Sequence, residues 1–75
     1  MDIKREKPIG KRITKLREEM GLSPSQAAQL IGMPLQTYKR WESGLAKRGI
    51  EKLIGIAIFY SVTTDFLLGI NDHRT

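Results

Sequence analysis

The chain has 75 residues, with 13 lysines and arginines against 8 aspartates and glutamates, so one small basic domain of net charge +5 is expected. It contains no cysteine, which excludes a disulfide scaffold and a cysteine-based zinc site. The 40% apolar content is too high for a disordered chain, and no apolar run approaches the roughly 18 residues that a membrane span needs. A chain of this size buries only about 60% of its unfolded surface, so the core must be efficient. The N-terminus carries no apolar stretch of the secretory kind, and a cytoplasmic location is the expectation.

The spacing predicts a first helix over about 8 to 20. Ile9, Ile13, Leu16 and Met20 recur at 4, 3 and 4 residues along one helix stripe, and Pro8 suits the first turn. Gly21 stops it, and Leu22 can fold back onto the core. Ser23-Pro24-Ser25-Gln26 reads as a capping box with proline at the first helical position. A second, two-turn helix therefore runs through Ala27, Ala28, Leu30 and Ile31 to Gly32. Met33 and Pro34 open a third helix that lacks a Ser or Thr cap, places Tyr38 and Trp41 on one face, and stops at Ser43-Gly44.

Residues 45 to 49 form a basic loop. The fourth helix is expected over about 50 to 60, with Ile50, Leu53, Ile54, Ala57 and Ile58 as its apolar face and Ile56, Phe59 and Tyr60 partly outside it. Thr63 or Thr64 caps a short last helix through Phe66, Leu67 and Leu68, with Asp65 supporting its start and Gly69 ending it. Residues 1–7 and 70–75 are expected to fray. Strand alternation, internal repeats and a second domain are all missing from the pattern. The charge is uneven: residues 1–17 carry +5, 18–38 carry −2, 39–52 carry +3 and 53–75 carry −1. Two basic blocks thus flank a nearly uncharged middle.

Two short helices joined by a glycine turn, the second carrying Lys39 and Arg40, are what a helix-turn-helix needs. The stretch SPSQAAQLIGMPLQTYKRWESG, preceded by RITKLREEMGL and followed by VTTDFLLG, resembles the phage repressor and Cro family, the XRE-type helix-turn-helix. The likeness covers about residues 9 to 69, with the helix-turn-helix at about 23–43. It implies an all-α, compact five-helix bundle of the lambda-repressor kind, double-stranded DNA as partner, a homodimer on a roughly palindromic operator, and transcriptional regulation. In that pattern Ala28 matches the small residue at the crossing of the second and third helices, and Gly32 matches the turn glycine. The sequence departs from the pattern at Pro24, where a backbone-contacting Gln is usual, at Ala27, where a larger aliphatic is usual, and at Pro34, where a cap is common.

On the third helix Tyr38 and Trp41 point inward, whereas Leu35, Gln36, Lys39 and Arg40 point out and form the candidate base-reading set. Arg suits guanine O6 and N7, Gln suits adenine N6 and N7, and an apolar side chain suits the thymine methyl. Leu35 can alternatively pack against the turn. The resemblance assigns phosphate contacts to Lys47 and Arg48, and Ser23, Thr37 and Ser43 join them as candidates; phosphate contacts orient without reading sequence. Lys4, Arg5, Lys7, Lys11 and Arg12 either touch the DNA backbone or stand in solvent. Arg17 and Glu42 match family positions that form an ion pair between the first and third helices; the alternative is two unrelated surface charges. Dimerisation is expected through Phe59, Tyr60, Val62 and Phe66, with core packing an equal alternative for Phe66.

Tyr38 and Trp41 as base-stacking aromatics are a poorer fit than core. His73 stands alone, and no second histidine or cysteine is present to build a metal site. No histidine is placed to activate Ser23, Ser25, Ser43 or Ser61, so an enzyme, a cofactor and a small-molecule substrate are not expected. A protein-interaction module, such as an antitoxin on the same fold with DNA binding secondary, is the competing reading. Non-specific RNA binding comes third.

Overall fold

A computed structural model describes residues 9–46 and 49–74. Five helices follow one another: α1 (Ile9–Glu19), α2 (Pro24–Ile31), α3 (Leu35–Ser43), α4 (Ile50–Tyr60) and α5 (Thr64–Leu68), with no strand among the described residues. The fold is all-α. The chain punctuation is the cause of these boundaries. Gly21, Gly32, Gly44 and Gly69 all sit in the left-handed region, with Gly32 at φ +96°, where a residue without Cβ meets no steric cost. The capping box at α2 is formed in both directions: the Gln26 N–H donates to Ser23 Oγ at 3.1 Å, and the Ser23 N–H donates to Gln26 Oε1 at 2.8 Å. Thr63 caps α5 in one direction, its hydroxyl accepting from the Phe66 N–H at 3.0 Å. Pro34 gives α3 no side-chain cap.

One core joins the helices. Ile13 of α1, Tyr38 of α3, Ile56 of α4 and Leu67 of α5 are fully enclosed, and Ala27 and Ala28 let α2 close on α3. α1 lies against α3 and α5, and α2 lies against α3 and α4. The expected apolar stripes need two adjustments here. Met20 lies beyond the end of α1 and is exposed, and Leu30 of α2 is exposed as well, while Leu22 packs on the core.

The face of α4 is a larger correction. Leu53, Ile56, Ala57 and Tyr60 are buried, whereas Ile50, Ile54 and Ile58 are 70%, 45% and 72% exposed. The buried face is rotated by about 80° from the expected one, at 3.6 residues per turn. α4 is apolar almost all round, so its own periodicity does not choose a face. The neighbours choose it, through the small side of Ala57 and a partner for the Tyr60 hydroxyl.

The segment after α5, expected to fray, turns back across the bundle. The Thr63 N–H donates to the Arg74 carbonyl at 2.8 Å. Arg74 forms a forked ion pair with Glu19, both N–O distances 2.9 Å, and Arg12 donates to the carbonyls of Phe66 and Asn71 and to Asp72. The two guanidinium groups lie 4.4 and 5.6 Å from the Phe66 ring centroid, close enough for cation–π attraction. Arg12 is therefore committed to holding this segment.

Candidate nucleic-acid interface

α3 is built as two unlike faces. Tyr38 and Trp41 are buried, and Gln36, Lys39 and Arg40 are exposed, their side chains making no hydrogen bond or ion pair to any described residue. Leu35 is half-buried and packs against the core, so the inward alternative weighed for it describes much of its surface. Thr37 is half-buried. Ser43 is exposed, and its hydroxyl donates to the Arg40 carbonyl at 3.0 Å, so its proton is already in use. Ser23 is exposed, with both its hydroxyl and its N–H engaged in the capping box. Lys47 and Arg48, with Lys4, Arg5 and Lys7 of the expected basic arm, lie outside the described residues.

The inner face of α3 is gripped at several points. Glu42 meets Arg17 of α1, with Nε to Oε2 at 2.6 Å and Nη2 to Oε1 at 3.4 Å. The side chains are 13% and 14% exposed, so this is an enclosed pair, and Arg17 also donates to the Leu22 carbonyl at 2.7 Å. The hydrogen bond that Arg17 donates to Glu42 is the main reason that the Arg17 pKa is raised above its usual value. The hydroxyls of Tyr38 and Tyr60 are 2.7 Å apart in the core. Burial, reinforced by the Glu42 carboxylate, holds the Tyr38 phenol far above its ordinary range, and burial raises Tyr60 too. Both phenols stay neutral at physiological pH.

Two of these grips were not foreseen from sequence. Gly10 is the first: a Cβ there would run into the Glu42 carbonyl and stand 3.2 Å from the Gly44 nitrogen, so α1 and the end of α3 touch backbone to backbone. The signal was a glycine inside an amphipathic pattern, which costs about 1 kcal/mol relative to alanine unless a close approach repays it. The Tyr38–Tyr60 hydroxyl pair is the second, and no local pattern links residues that far apart.

Burial divides the four residues expected at a dimer contact. Tyr60 is only 7% exposed and its hydroxyl is satisfied inside the molecule, and Phe66 is buried under Arg12 and Arg74. For Phe66 this is the core packing weighed as its alternative role. Phe59, which meets the Tyr60 ring edge-on at 4.9 Å, and Val62 remain half-buried at the surface. Among the described residues no cluster of metal-ligating side chains occurs, and no helix is long and apolar enough to cross a membrane.

A helix-turn-helix family model matches residues 13–67, which takes in α2, the turn and α3. In Bacillus subtilis the chain is similar to the HTH-type transcriptional regulator AnsR, 36% identical over 58 residues, covering 77% of this chain and 50% of the relative. It is similar also to the HTH-type regulator YobD, 33% identical over 61 residues (81% and 54%), and to the prophage-derived HTH-type regulator YonR, 34% over 60 residues (80% and 56%). The chain thus spans about half the length of these curated relatives. With α2 and α3 joined at Gly32 and an outward face on α3, the chain belongs to the XRE-type helix-turn-helix family, whose relatives here are transcriptional regulators.

Proposed function

We propose that this chain is a sequence-specific, double-stranded DNA-binding transcriptional regulator of the repressor or Cro-like kind, which reads the major groove with α3. The observation that carries the reading is the asymmetry of α3: an inner face fixed by Tyr38, Trp41 and Glu42, and an outer face where the side chains of Gln36, Lys39 and Arg40 are free of partners among the described residues. A base reader needs side chains that are unengaged until DNA arrives, on a backbone that does not move. Arg40 and Gln36 take the base edges, with Lys39 and Leu35 beside them. Lys47 and Arg48 hold phosphate, together with Thr37 and the exposed residues Ser23 and Ser43, at the ends of α2 and α3.

The chain acts as a homodimer in the cytoplasm, on the nucleoid, with Phe59 and Val62 contributing to the contact between copies. Two α3 helices then sit about 34 Å apart, one turn of duplex, and the operator is roughly palindromic. The chain has no catalytic role and takes no cofactor. Selection of bound duplexes from a random pool tests the reading. Enrichment of a two-fold sequence supports it, and a pool that stays random after several rounds contradicts it. In titrations, Lys47→Ala or Arg48→Ala should weaken every duplex alike and lower the salt slope by about one each.

The exposed row Ile50, Ile54 and Ile58 favours a second reading, a protein-interaction module such as an antitoxin with DNA binding secondary. A chain that selects no duplex yet retains its fold would move the assignment there.

A further inference from the structure

Two polar contacts hold the inner face of α3. Tyr60 on α4 meets the Tyr38 hydroxyl, and Arg17 on α1, which also donates to the Leu22 carbonyl ahead of α2, meets Glu42. Tyr38 and Glu42 are four residues apart, so they lie on one face of α3 a turn apart. The helix is therefore gripped at two heights, from α4 at one and from α1 at the other. Apolar burial is non-directional and tolerates a small roll of a helix about its axis. Hydrogen bonds have preferred distances and angles and tolerate much less. A roll of α3 would swing Gln36, Lys39 and Arg40 across the groove while leaving the amount of buried apolar surface nearly unchanged.

We infer that Tyr60, on a helix that carries none of the base-reading side chains, is a positioning residue for DNA reading: through the Tyr38 hydroxyl it sets the roll of α3 and so the aim of Gln36 and Arg40. This rests on the proposed DNA-reading function. No buried side-chain polar atom among the described residues lacks a partner, so removing one hydroxyl leaves the other without its mate. The Tyr60 ring itself packs in the core and against Phe59, which Tyr60→Phe retains.

The experiment compares wild type, Tyr60→Phe, Tyr38→Phe and the double variant in two measurements at a temperature where all are folded. The first is the affinity ratio between the duplex that wild type enriches from a random pool and a mixed-sequence duplex of equal length. Tyr60→Phe should reduce that ratio about fivefold, the equivalent of one net hydrogen bond, with mixed-sequence affinity unchanged. The double variant should lose no more than Tyr38→Phe alone. The second measurement needs no DNA: amide residual dipolar couplings report the orientation of α3 against α1 and α4, and Tyr60→Phe should shift the α3 set alone. Unchanged α3 couplings, or an unchanged ratio with shifted couplings, overturn the inference. If wild type enriches no duplex, the DNA-reading proposal falls, and the aim assigned to Tyr60 falls with it. Shifted couplings would then show only that Tyr60 orients α3. If Tyr60→Phe fails to fold, Tyr38→Phe, which removes the same hydroxyl pair, carries both measurements.

Discussion

Helices α3 and α4 are of similar length and meet at the Tyr38–Tyr60 pair, yet they solve opposite problems. α3 has few apolar residues, so its buried face is unambiguous, and polar groups on that face tie it to its neighbours in fixed directions. α4 is apolar nearly all round, and only contact with other helices selects Leu53, Ile56, Ala57 and Tyr60 over Ile50, Ile54 and Ile58. A helix that must aim its outer side chains is held by directional bonds. A helix that mainly closes the core is held by area, and it can leave three isoleucines outside.

That contrast can be broken by substitution. The largest effect is expected at Trp41→Ala, which empties the buried side of α3 and should cost about 3–5 kcal/mol in urea unfolding. A loss below 1 kcal/mol would mean that α3 is not anchored by its inner face. Gly10→Ala comes next, because its Cβ collides with backbone that has no rotamer to give. We expect a loss of about 1–3 kcal/mol and chemical-shift changes concentrated at Glu42, Ser43 and Gly44. Neutral behaviour would show that α1 and α3 have room to separate.

High pH isolates the tyrosine contact. The pKa values of Tyr38 and Tyr60 are raised by folding, so their contribution is fully present below the unfolded value near 10 and is lost as pH rises above it. Stability should fall by up to about 1.4 kcal/mol per pH unit for each tyrosine in that window. The fall should be shallower in Tyr60→Phe, and equal slopes in the two proteins would contradict the assignment. The smallest effect belongs to the outer side of α4. Ile58→Ala should change stability by no more than about 0.5 kcal/mol, and a loss of 2 kcal/mol would mean that Ile58 is covered in solution.

The helix-turn-helix was legible because its boundaries are written in single residues with strong local chemistry: Gly21, the Ser23–Gln26 capping box, Gly32 and Gly44. The outward set on α3 followed from the inward pair Tyr38 and Trp41 by helical periodicity alone. What escaped the sequence is long-range. Residues 50–60 offered several equivalent apolar faces, and the choice among them is made by α2, α3 and α5. Gly10 carries no side chain to announce what it approaches. The clasp of Arg12 and Arg74 about Phe66 joins residues more than fifty positions apart, so the end of the chain read as free. In each case the deciding partner lay on another helix, beyond any local pattern.

If α3 reads base sequence as proposed, while neighbouring basic residues hold only the backbone, one substitution on its outer face separates the two roles. Titration of Arg40→Ala against the selected duplex and its single-base-pair variants, at several salt concentrations, tests this most directly. The expected result is a loss of about 1–3 kcal/mol confined to one base-pair position, with preference relaxed there and the fold unchanged. If Arg40→Ala binds every duplex as wild type does, α3 is not the reader.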